Sequence, residues 1–186
     1  MTTETKTTKV SPSAVDIAAA PSFMTRLVMS LITVVILLLD QLTKFLVRTQ
    51  ITLHDSIEIV PGFLNFVHVH NTGAAFGFLN TANIANKQLL MTTIALIALV
   101  AIGFYASQVG SRETLPRASL ALIFGGALGN LIDRASTGYV IDFVDVYWWN
   151  YHFWAFNVAD SAISIGACLL ILDILLTNGT DVSTPV

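Results

Sequence analysis

Six aspartates stand in or beside strongly apolar stretches of this chain, and their chemistry needs an explanation. They are Asp40, Asp133, Asp142, Asp145, Asp160 and Asp173. A carboxylate inside hydrocarbon costs at least about 2.5 kcal/mol, so an acid in such a place marks a functional site by default. Two carboxylates brought together by folding, one ionised and one protonated, can activate a water for attack on an amide and then protonate the leaving nitrogen.

Asp160 and one of the pair Asp142 and Asp145 are the candidates for such a dyad. Asp160 lies three residues after Asn157 and four before Ser164, so all three are expected on one helical face, near a helix N-terminus where an anion is favoured. Asp142 and Asp145 are three residues apart in a predicted strand. Only one of them can therefore point towards the same site, and the spacing does not say which. The same acids could instead form a proton or ion relay, or hydrogen bonds between helices.

The acids of the first and third apolar stretches have supporting interpretations. Lys44 follows Asp40 by four residues, which predicts a structural ion pair near the outer end of the first stretch. Asn130, Asp133 and Arg134 occupy positions i, i+3 and i+4 and are expected to form one polar cluster. In that cluster, the Arg134 guanidinium would hold a nearby carboxylate charged and oriented.

The elements that carry these residues are membrane-spanning helices. Of the 186 residues, 54% are hydrophobic and 11% are charged, and the mean hydropathy is +0.72, whereas a soluble domain has about 25% charged residues. A bilayer core about 30 Å thick needs about 20 apolar helical residues. Four stretches approach that length: 27–47, 89–106, 118–132 and 158–176. Each must be helical, because lipid offers the backbone no hydrogen-bond partners.

Small residues inside these stretches are expected to serve packing. Gly125, Gly126 and Gly129 of the third stretch would let helices approach closely. Cys168 is the single cysteine, so an intrachain disulfide is excluded and a packing role inside the fourth stretch is expected. Asp173, near the end of that stretch, can reach water and is interpreted as incidental.

Basic residues predict the orientation of the chain. The N-terminal tail and the connection between the second and third stretches hold five of them, and the other two connections hold three: Lys6, Lys9, Arg26, Arg112 and Arg117 against Arg48, Lys87 and Arg134. With an even number of spans, this bias places both termini in the cytoplasm. The predicted organisation is a disordered cytoplasmic tail at 1–22, a four-helix membrane domain at 23–177 and a cytoplasmic tail at 178–186.

The two connections on the outer side are predicted to form a small β-sheet on the membrane surface. Segments 57–70 and 138–151 are rich in β-branched and aromatic residues with partial alternation. Segment 71–79 suits a turn followed by a short interfacial helix. Tryptophans and tyrosines in the last outer connection are typical of an anchoring belt at lipid headgroups.

Other functional classes fit less well. His68 and His70 have metal-ligand spacing, but an exposed strand gives both the same face and no further ligand completes a set nearby, so no metal or other cofactor is expected. With a net charge of −3 and no basic patch, nucleic acid is not expected as a partner. A small proton-coupled transporter would show internal repeats, and the acids here cluster at one membrane face instead. A non-catalytic assembly subunit is a third alternative.

Five blocks of the chain resemble bacterial lipoprotein signal peptidase, also called signal peptidase II. In order they are DQLTK (40–44), NTGAAFGFL (71–79), GGALGNLIDR (125–134), GYVIDFVDVY (138–147) and FNVADSAISIG (156–166). The resemblance implies an aspartic endopeptidase of the bacterial inner membrane, active as a monomer, with four transmembrane helices, an outward-facing β-cradle and a short interfacial helix. Its implied substrates are diacylglyceryl-modified prolipoproteins, cleaved just before the lipidated cysteine on the periplasmic side.

The resemblance also implies roles for individual residues. Its catalytic aspartates match Asp142 and Asp160, which resolves the choice that strand alternation left open. The supporting positions that match are Asn71, Gly73, Asn130, Asp133, Arg134, Asn157 and Ala159, while Asp40 and Lys44 match the first block and keep their structural interpretation. One departure is Trp154, which stands where relatives often have proline and should alter the path of the loop into the fourth span.

Overall fold

Four long apolar helices dominate the computed structural model, which describes residues 22–73, 82, 84–110 and 113–178. They are α1 (Phe23–Gln50), α2 (Lys87–Gln108), α3 (Thr114–Ser136) and α4 (Val158–Asn178). All four are long and apolar enough to cross a membrane, which confirms the predicted spans. The third helix is longer than the stretch predicted for it. The expected interfacial helix and nearly all of both tails lie outside the described residues.

Helix α3 is the centre of the bundle and packs against each of the other three helices. Its glycines make this close packing possible, as predicted. A Cβ added at Gly125 would lie 3.0 Å from the Thr33 carbonyl oxygen of α1, and one at Gly129 would lie 2.5 Å from Asp40 Oδ2. Large apolar side chains on the outer faces of α1, α2 and α4 are exposed, as expected for surfaces that face lipid. Cys168 is also exposed, so its predicted packing role inside the bundle is wrong.

Replacing Gly126 by alanine should loosen the contact between α3 and α4. The added Cβ would collide with the backbone carbonyl of Ala159, and backbone cannot move aside as a flexible side chain can. Overpacking of this kind costs about 3 kcal/mol, so we expect a lower apparent Tm in detergent. Gly103→Ala is the control, because its Cβ would meet only the Phe124 side chain, at 3.4 Å. Equal Tm values for the two variants would contradict the role given to Gly126.

A four-stranded antiparallel sheet caps one end of the bundle, in the order β1-β2-β3-β4. Its strands are β1 (Ser56–Val60), β2 (Leu64–Asn71), β3 (Val140–Trp148) and β4 (Tyr151–His152). The predicted sheet is therefore confirmed, and each outer segment contributes two strands to it. In the first segment a turn at Pro61 and Gly62 divides the strands, and Gly62 has a φ of +75°, a conformation that glycine adopts at little cost.

The sheet is seated on the helices through a small apolar cluster. Val47 and Ile51 at the end of α1 pack against Ile141 and Phe143 of β3, and all four are buried. Because successive strand residues point to opposite faces, Asp142 lies between these two apolar residues and points away from them. This packing carries Asp142 to the end of the bundle where α4 begins.

Candidate active site

Helix α4 begins with a reciprocal cap that holds Asp160 in place. The backbone N–H of Asp160 donates to Asn157 Oδ1 at 2.9 Å, and the backbone N–H of Asn157 donates to Asp160 Oδ2 at 3.3 Å. This is the geometry of a capping box, with Asn157 at the N-cap and Asp160 three residues later. The carboxylate of Asp160 is therefore oriented by the start of its own helix.

Asn157 also links this cap to Asp142 on β3. Its side-chain Nδ2 donates to Asp142 Oδ1 at 2.7 Å and to the backbone oxygen of Ile141 at 3.2 Å. The second carboxylate oxygen of Asp142 accepts a hydrogen bond from Asn71 Nδ2 at 3.0 Å. The two carboxyl groups predicted as a pair are thus joined through one fully buried asparagine.

Both asparagines that contact Asp142 have their amides fixed in one orientation. Asn157 Oδ1 accepts from the backbone N–H of Asp160, and Asn71 Oδ1 accepts from the backbone N–H of Gly73 at 2.9 Å. Because a backbone N–H can only donate, each amide oxygen must face it and each NH₂ group must face Asp142. The carboxyl of Asp142 is therefore held in a defined plane. Neither contact to Asp142 could be predicted from spacing, because Asn71 is 71 residues and Asn157 is 15 residues away along the chain.

On the other side, Asp160 is held by Asn130 of α3, whose Nδ2 donates to Asp160 Oδ1 at 2.8 Å. Asn130 also accepts a hydrogen bond from Lys44. Lys44 forms the expected ion pair with Asp40, with Nζ and Oδ2 2.8 Å apart. The Lys44 ammonium is also 2.8 Å from Asp133 Oδ2, so the predicted pair is a three-membered cluster.

Two more contacts complete this cluster. Asp40 Oδ1 accepts from the backbone N–H of Ala159 at 3.0 Å, which fixes the start of α4 to α1. Gln41, which no spacing rule singles out, donates to Asp133 Oδ1 at 3.1 Å. The supporting residues of α1 and α3 therefore hold the N-terminal end of α4, the helix that carries Asp160.

Arg134 has a different contact from the one predicted. Its guanidinium donates to the backbone oxygen of Gly73 at 3.0 Å and to that of Asn130 at 3.4 Å. It forms no direct ion pair with any carboxylate of the described residues, although Asp160, Asp142 and Asp133 lie near enough for their charges to act on it. The expected direct contact with a carboxylate is therefore not observed. The five N–H donors of a guanidinium can bind backbone carbonyl oxygens as well as carboxylates. Arg134 thereby fixes the turn after β2, next to Asn71, which ends that strand and contacts Asp142.

Asp142 and Asp160 line one cavity of about 790 Å³. Its polar end holds the two carboxyls with Asn71, Asn130 and Arg134. The rest is mostly apolar and runs between α2 and α4, with alanines from both helices and the rings of Phe153, Trp154 and Phe156 among its lining residues. Trp154, noted as a departure from the family pattern, is thus part of the wall. A volume of this size suits a ligand with a long apolar part and one polar group.

Burial and charge perturb the acid on the strand. The pKa of Asp142 is raised to about 7, first by burial and then by the charge of Asp160, while the hydrogen bonds from Asn71 and Asn157 act in the opposite direction. A carboxyl that titrates near neutral pH beside a second carboxyl can hold or release a proton during a reaction. The arrangement is therefore suited to general acid–base chemistry.

Asp145 points away from this site. It accepts from Asn65 Nδ2 at 3.1 Å and pairs with His152 Nδ1 at 2.9 Å on the outer part of the sheet. It does not line the cavity. The geometry thus distinguishes the two acids of β3, because Asp142 lines the cavity and Asp145 does not. Asp145 instead has a structural partner, His152, which its spacing in the sequence did not predict.

The histidine pair is also placed differently from the prediction. His68 is buried rather than on an exposed strand, with a relative exposure of 5%. Its Nδ1 lies 2.8 Å from the backbone oxygen of Ile51 at the end of α1. The ring of His70 stacks on Tyr139 with centroids 3.6 Å apart. The His68 ring therefore packs between the sheet and the end of α1, and the His70 ring packs on the turn that precedes β3.

A family model described as signal peptidase (SPase) II matches residues 32–176, which include both aspartates and most of every helix. The chain belongs to the signal peptidase II family. The resemblance found in the sequence blocks is thereby confirmed, and the chain is a multi-pass bacterial membrane protease.

Relatives and solved structures agree with this assignment. The lipoprotein signal peptidase of Symbiobacterium thermophilum is 44% identical over 155 residues, which cover 83% of this chain and 97% of the relative. That of Syntrophus aciditrophicus is 45% identical over 150 residues, covering 80% and 93%. A bacterial membrane enzyme structure determined in meso at 2.3 Å is 33% identical, with a TM-score of 0.76, and the match covers 90% of this chain and 98% of that one.

Proposed function

We propose that this signal peptidase II family member removes the signal peptide from diacylglyceryl-modified prolipoproteins, cutting just before the lipidated cysteine, with Asp142 and Asp160 as its catalytic residues. One observation carries the proposal. Two carboxyls, each oriented by amides of fixed polarity, line the polar end of a single cavity whose remainder is mostly apolar. That combination matches a substrate in which a peptide bond lies next to acyl chains.

In the proposed mechanism the two aspartates share one proton. The ionised carboxyl takes a proton from a water, and the water oxygen attacks the carbonyl carbon of the scissile amide. The protonated carboxyl gives its proton to the substrate as the tetrahedral intermediate forms. A proton then passes to the leaving nitrogen and the C–N bond breaks, which yields a carboxylic acid and an amine. No covalent bond to the enzyme forms.

The neighbours of the dyad have positioning roles in this proposal. Asn71, Asn130 and Asn157 hold the two carboxyls, and Arg134 with Gly73 holds the segment from which Asn71 extends. Asp133 and Ala159 support the dyad indirectly. Asp133 pairs with Lys44, and the backbone N–H of Ala159 donates to Asp40. Exclusion of most water from the cavity would strengthen each of these polar contacts.

The proposed topology follows from the basic residues. Residues 23–177 form the peptidase domain, which acts as a monomer, and both termini lie in the cytoplasm of a bacterium with the protein in its inner membrane. The bias of five basic residues against three supports this orientation. The site then faces the periplasm, at the depth where a lipid-modified cysteine is anchored among acyl chains. Lipid anchoring reduces the search for the scissile bond from three dimensions to two.

Release of the signal peptide by the purified protein in detergent tests the function. We expect cleavage of a diacylglyceryl-modified prolipoprotein directly before the lipidated cysteine, with both products identified by mass spectrometry. The matched control is the same precursor with a free thiol, which should be cleaved at least about 100-fold more slowly because it cannot fill the apolar part of the cavity. Equal cleavage of both precursors would contradict the substrate assignment.

Cleavage should weaken as the pH rises through neutrality. A raised pKa means that Asp142 keeps its proton to a higher pH than an ordinary aspartate and loses it near about pH 7. Above that pH both carboxyls are ionised and the required shared proton is absent. We therefore expect kcat/KM measured from about pH 5 to about pH 9 to fall roughly tenfold for each pH unit on the alkaline side. A profile that stays flat to about pH 9 would contradict the shared proton.

A further inference from the structure

Lys44 has more acceptors than a structural ion pair requires. Its ammonium donates to Asp40 Oδ2 at 2.8 Å and lies 2.8 Å from Asp133 Oδ2, and its side chain is only 3% exposed. A third bond, at 2.9 Å, goes to Asn130 Oδ1. Asn130 is the residue that contacts Asp160, so this third bond leads out of the ion cluster and into the candidate active site.

The bond from Lys44 determines which way the Asn130 amide faces. An ammonium only donates, so Asn130 Oδ1 must face Lys44 and Nδ2 must face Asp160, to which it donates at 2.8 Å. Asn157 Nδ2, at 3.4 Å from the same oxygen, favours the same orientation. Without the ammonium, the amide could rotate and Asp160 would lose its shortest hydrogen bond.

The charge of Lys44 also reaches the second aspartate. The charged groups around it are Asp40 on α1, Asp133 and Arg134 on α3, Asp142 on β3 and Asp160 on α4. Within this set, the positive charge of Lys44 lowers the pKa of Asp142 against the effect of burial. Removing the ammonium should therefore let Asp142 hold its proton to a higher pH.

We propose that Lys44 is a positioning residue for the dyad, which orients the Asn130 amide towards Asp160 and supplies positive charge to both aspartates. The inference rests on the proposed catalytic roles of Asp142 and Asp160. It assigns to Lys44 an effect on the reaction itself, in addition to the structural role expected from its spacing with Asp40. A cation placed behind an amide also makes that amide a stronger donor, because polarisation passes along a hydrogen-bonded chain.

The test compares Lys44→Met with Asp40→Asn. Both variants break the same ion pair, but only the first removes the ammonium and its bond to Asn130. We expect Lys44→Met to lower kcat by roughly 100-fold, as the loss of a preorganised donor does in other enzymes. Its alkaline limb in the pH profile of kcat/KM should move to higher pH. Asp40→Asn should keep kcat within about tenfold of wild type, with an alkaline limb that does not rise.

A purely structural role would give a different result. Both variants would then lose thermal stability, while kcat per folded molecule and the pH profile stayed the same, and that outcome would overturn the proposal. If Lys44→Met does not fold, the double variant Asp40→Asn with Lys44→Met replaces it. One negative and one positive charge are removed together, so the net charge of the cluster is unchanged. The same fall in kcat is then expected from the lost bond to Asn130, with a smaller shift of the pH profile than in Lys44→Met.

Asp142→Asn and Asp160→Asn in the same assay separate the two levels of the proposal. If both retain cleavage, the dyad itself is wrong and Lys44 has nothing to position. If both lose cleavage and Lys44→Met behaves like Asp40→Asn, the dyad stands and only the role given to Lys44 is rejected.

Discussion

Asp142→Asn and Asp160→Asn are each expected to slow signal-peptide release at least about 1,000-fold, because an amide cannot take or give the proton that the mechanism requires. The substitution preserves size, but it replaces one of the two accepting oxygens of each carboxyl by an NH₂ group that cannot accept the hydrogen bond made there. KM should change little, since the apolar part of the cavity that binds the acyl chains is untouched. Cleavage of the lipidated precursor under saturating conditions measures the effect.

Asp145→Asn is the matched control for these two variants. Asp145 is buried on the same strand as Asp142 and also accepts a hydrogen bond from an asparagine, but it points to the outer part of the sheet. We expect this variant to keep kcat within about threefold of wild type. Loss of activity in Asp145→Asn comparable to that in Asp142→Asn would contradict the assignment of the strand carboxylate.

Asn157→Ala is expected to lower both activity and stability. It removes the cap of α4, which costs about 1 kcal/mol, and leaves Asp142 Oδ1 and the backbone oxygen of Ile141 without their shared donor. Because the Asp142 carboxyl loses an orienting bond and the backbone N–H of Asp160 loses its cap, kcat should fall roughly 100-fold or more. Thermal unfolding and cleavage are measured on the same preparation.

Asn157→Ser separates the two roles of this residue. Serine is a good N-cap, so it should restore most of the thermal stability lost in Asn157→Ala. Its short side chain does not extend to Asp142, so kcat should remain as low as in the alanine variant. If Asn157→Ser regained full activity, the bond between Asn157 and Asp142 would have no role in catalysis.

The parts of the site that follow from local rules could be predicted from the sequence. Asp160 is three residues after Asn157 at the head of an apolar stretch, and a capping box depends only on that spacing. The pair Asp40 and Lys44 likewise follows from one helical turn. The four spans follow from length and hydropathy, which the bilayer demands of any crossing helix.

The parts that depend on tertiary contacts could not be predicted in this way. Alternation places Asp142 and Asp145 on opposite faces of β3, but which face meets Asn157 at the start of α4 depends on tertiary packing. Ile141 and Phe143 pack against α1 from the face opposite to Asp142. The bond between Lys44 and Asn130 joins residues 86 positions apart and leaves no trace in spacing. Resemblance to a family favours Asp142, and the geometry supports that proposal because Asp142 lines the cavity and Asp145 does not.

The direct contacts of Arg134 and His68 differ from the expected ones for a related reason. The charge of Arg134 predicts a carboxylate partner, yet its guanidinium donates to the backbone oxygens of Gly73 and Asn130, while the nearby carboxylates act on it only through their charge. His68 was expected on an exposed strand, yet the end of α1 covers it and supplies the Ile51 oxygen beside its ring. Composition and alternation describe a strand, but they do not describe what packs over it.

Single-turnover cleavage by Asp142→Asn, Asp160→Asn and the double variant is the most direct test of the claim that these two carboxyls act as one unit. Enzyme is kept in excess over lipidated precursor, so that only one round of cleavage is observed. Residues that work as a unit show strongly non-additive effects, so we predict that the double variant cleaves within about threefold of the slower single variant. A double variant whose loss equals the product of the two single losses would contradict the shared-proton dyad.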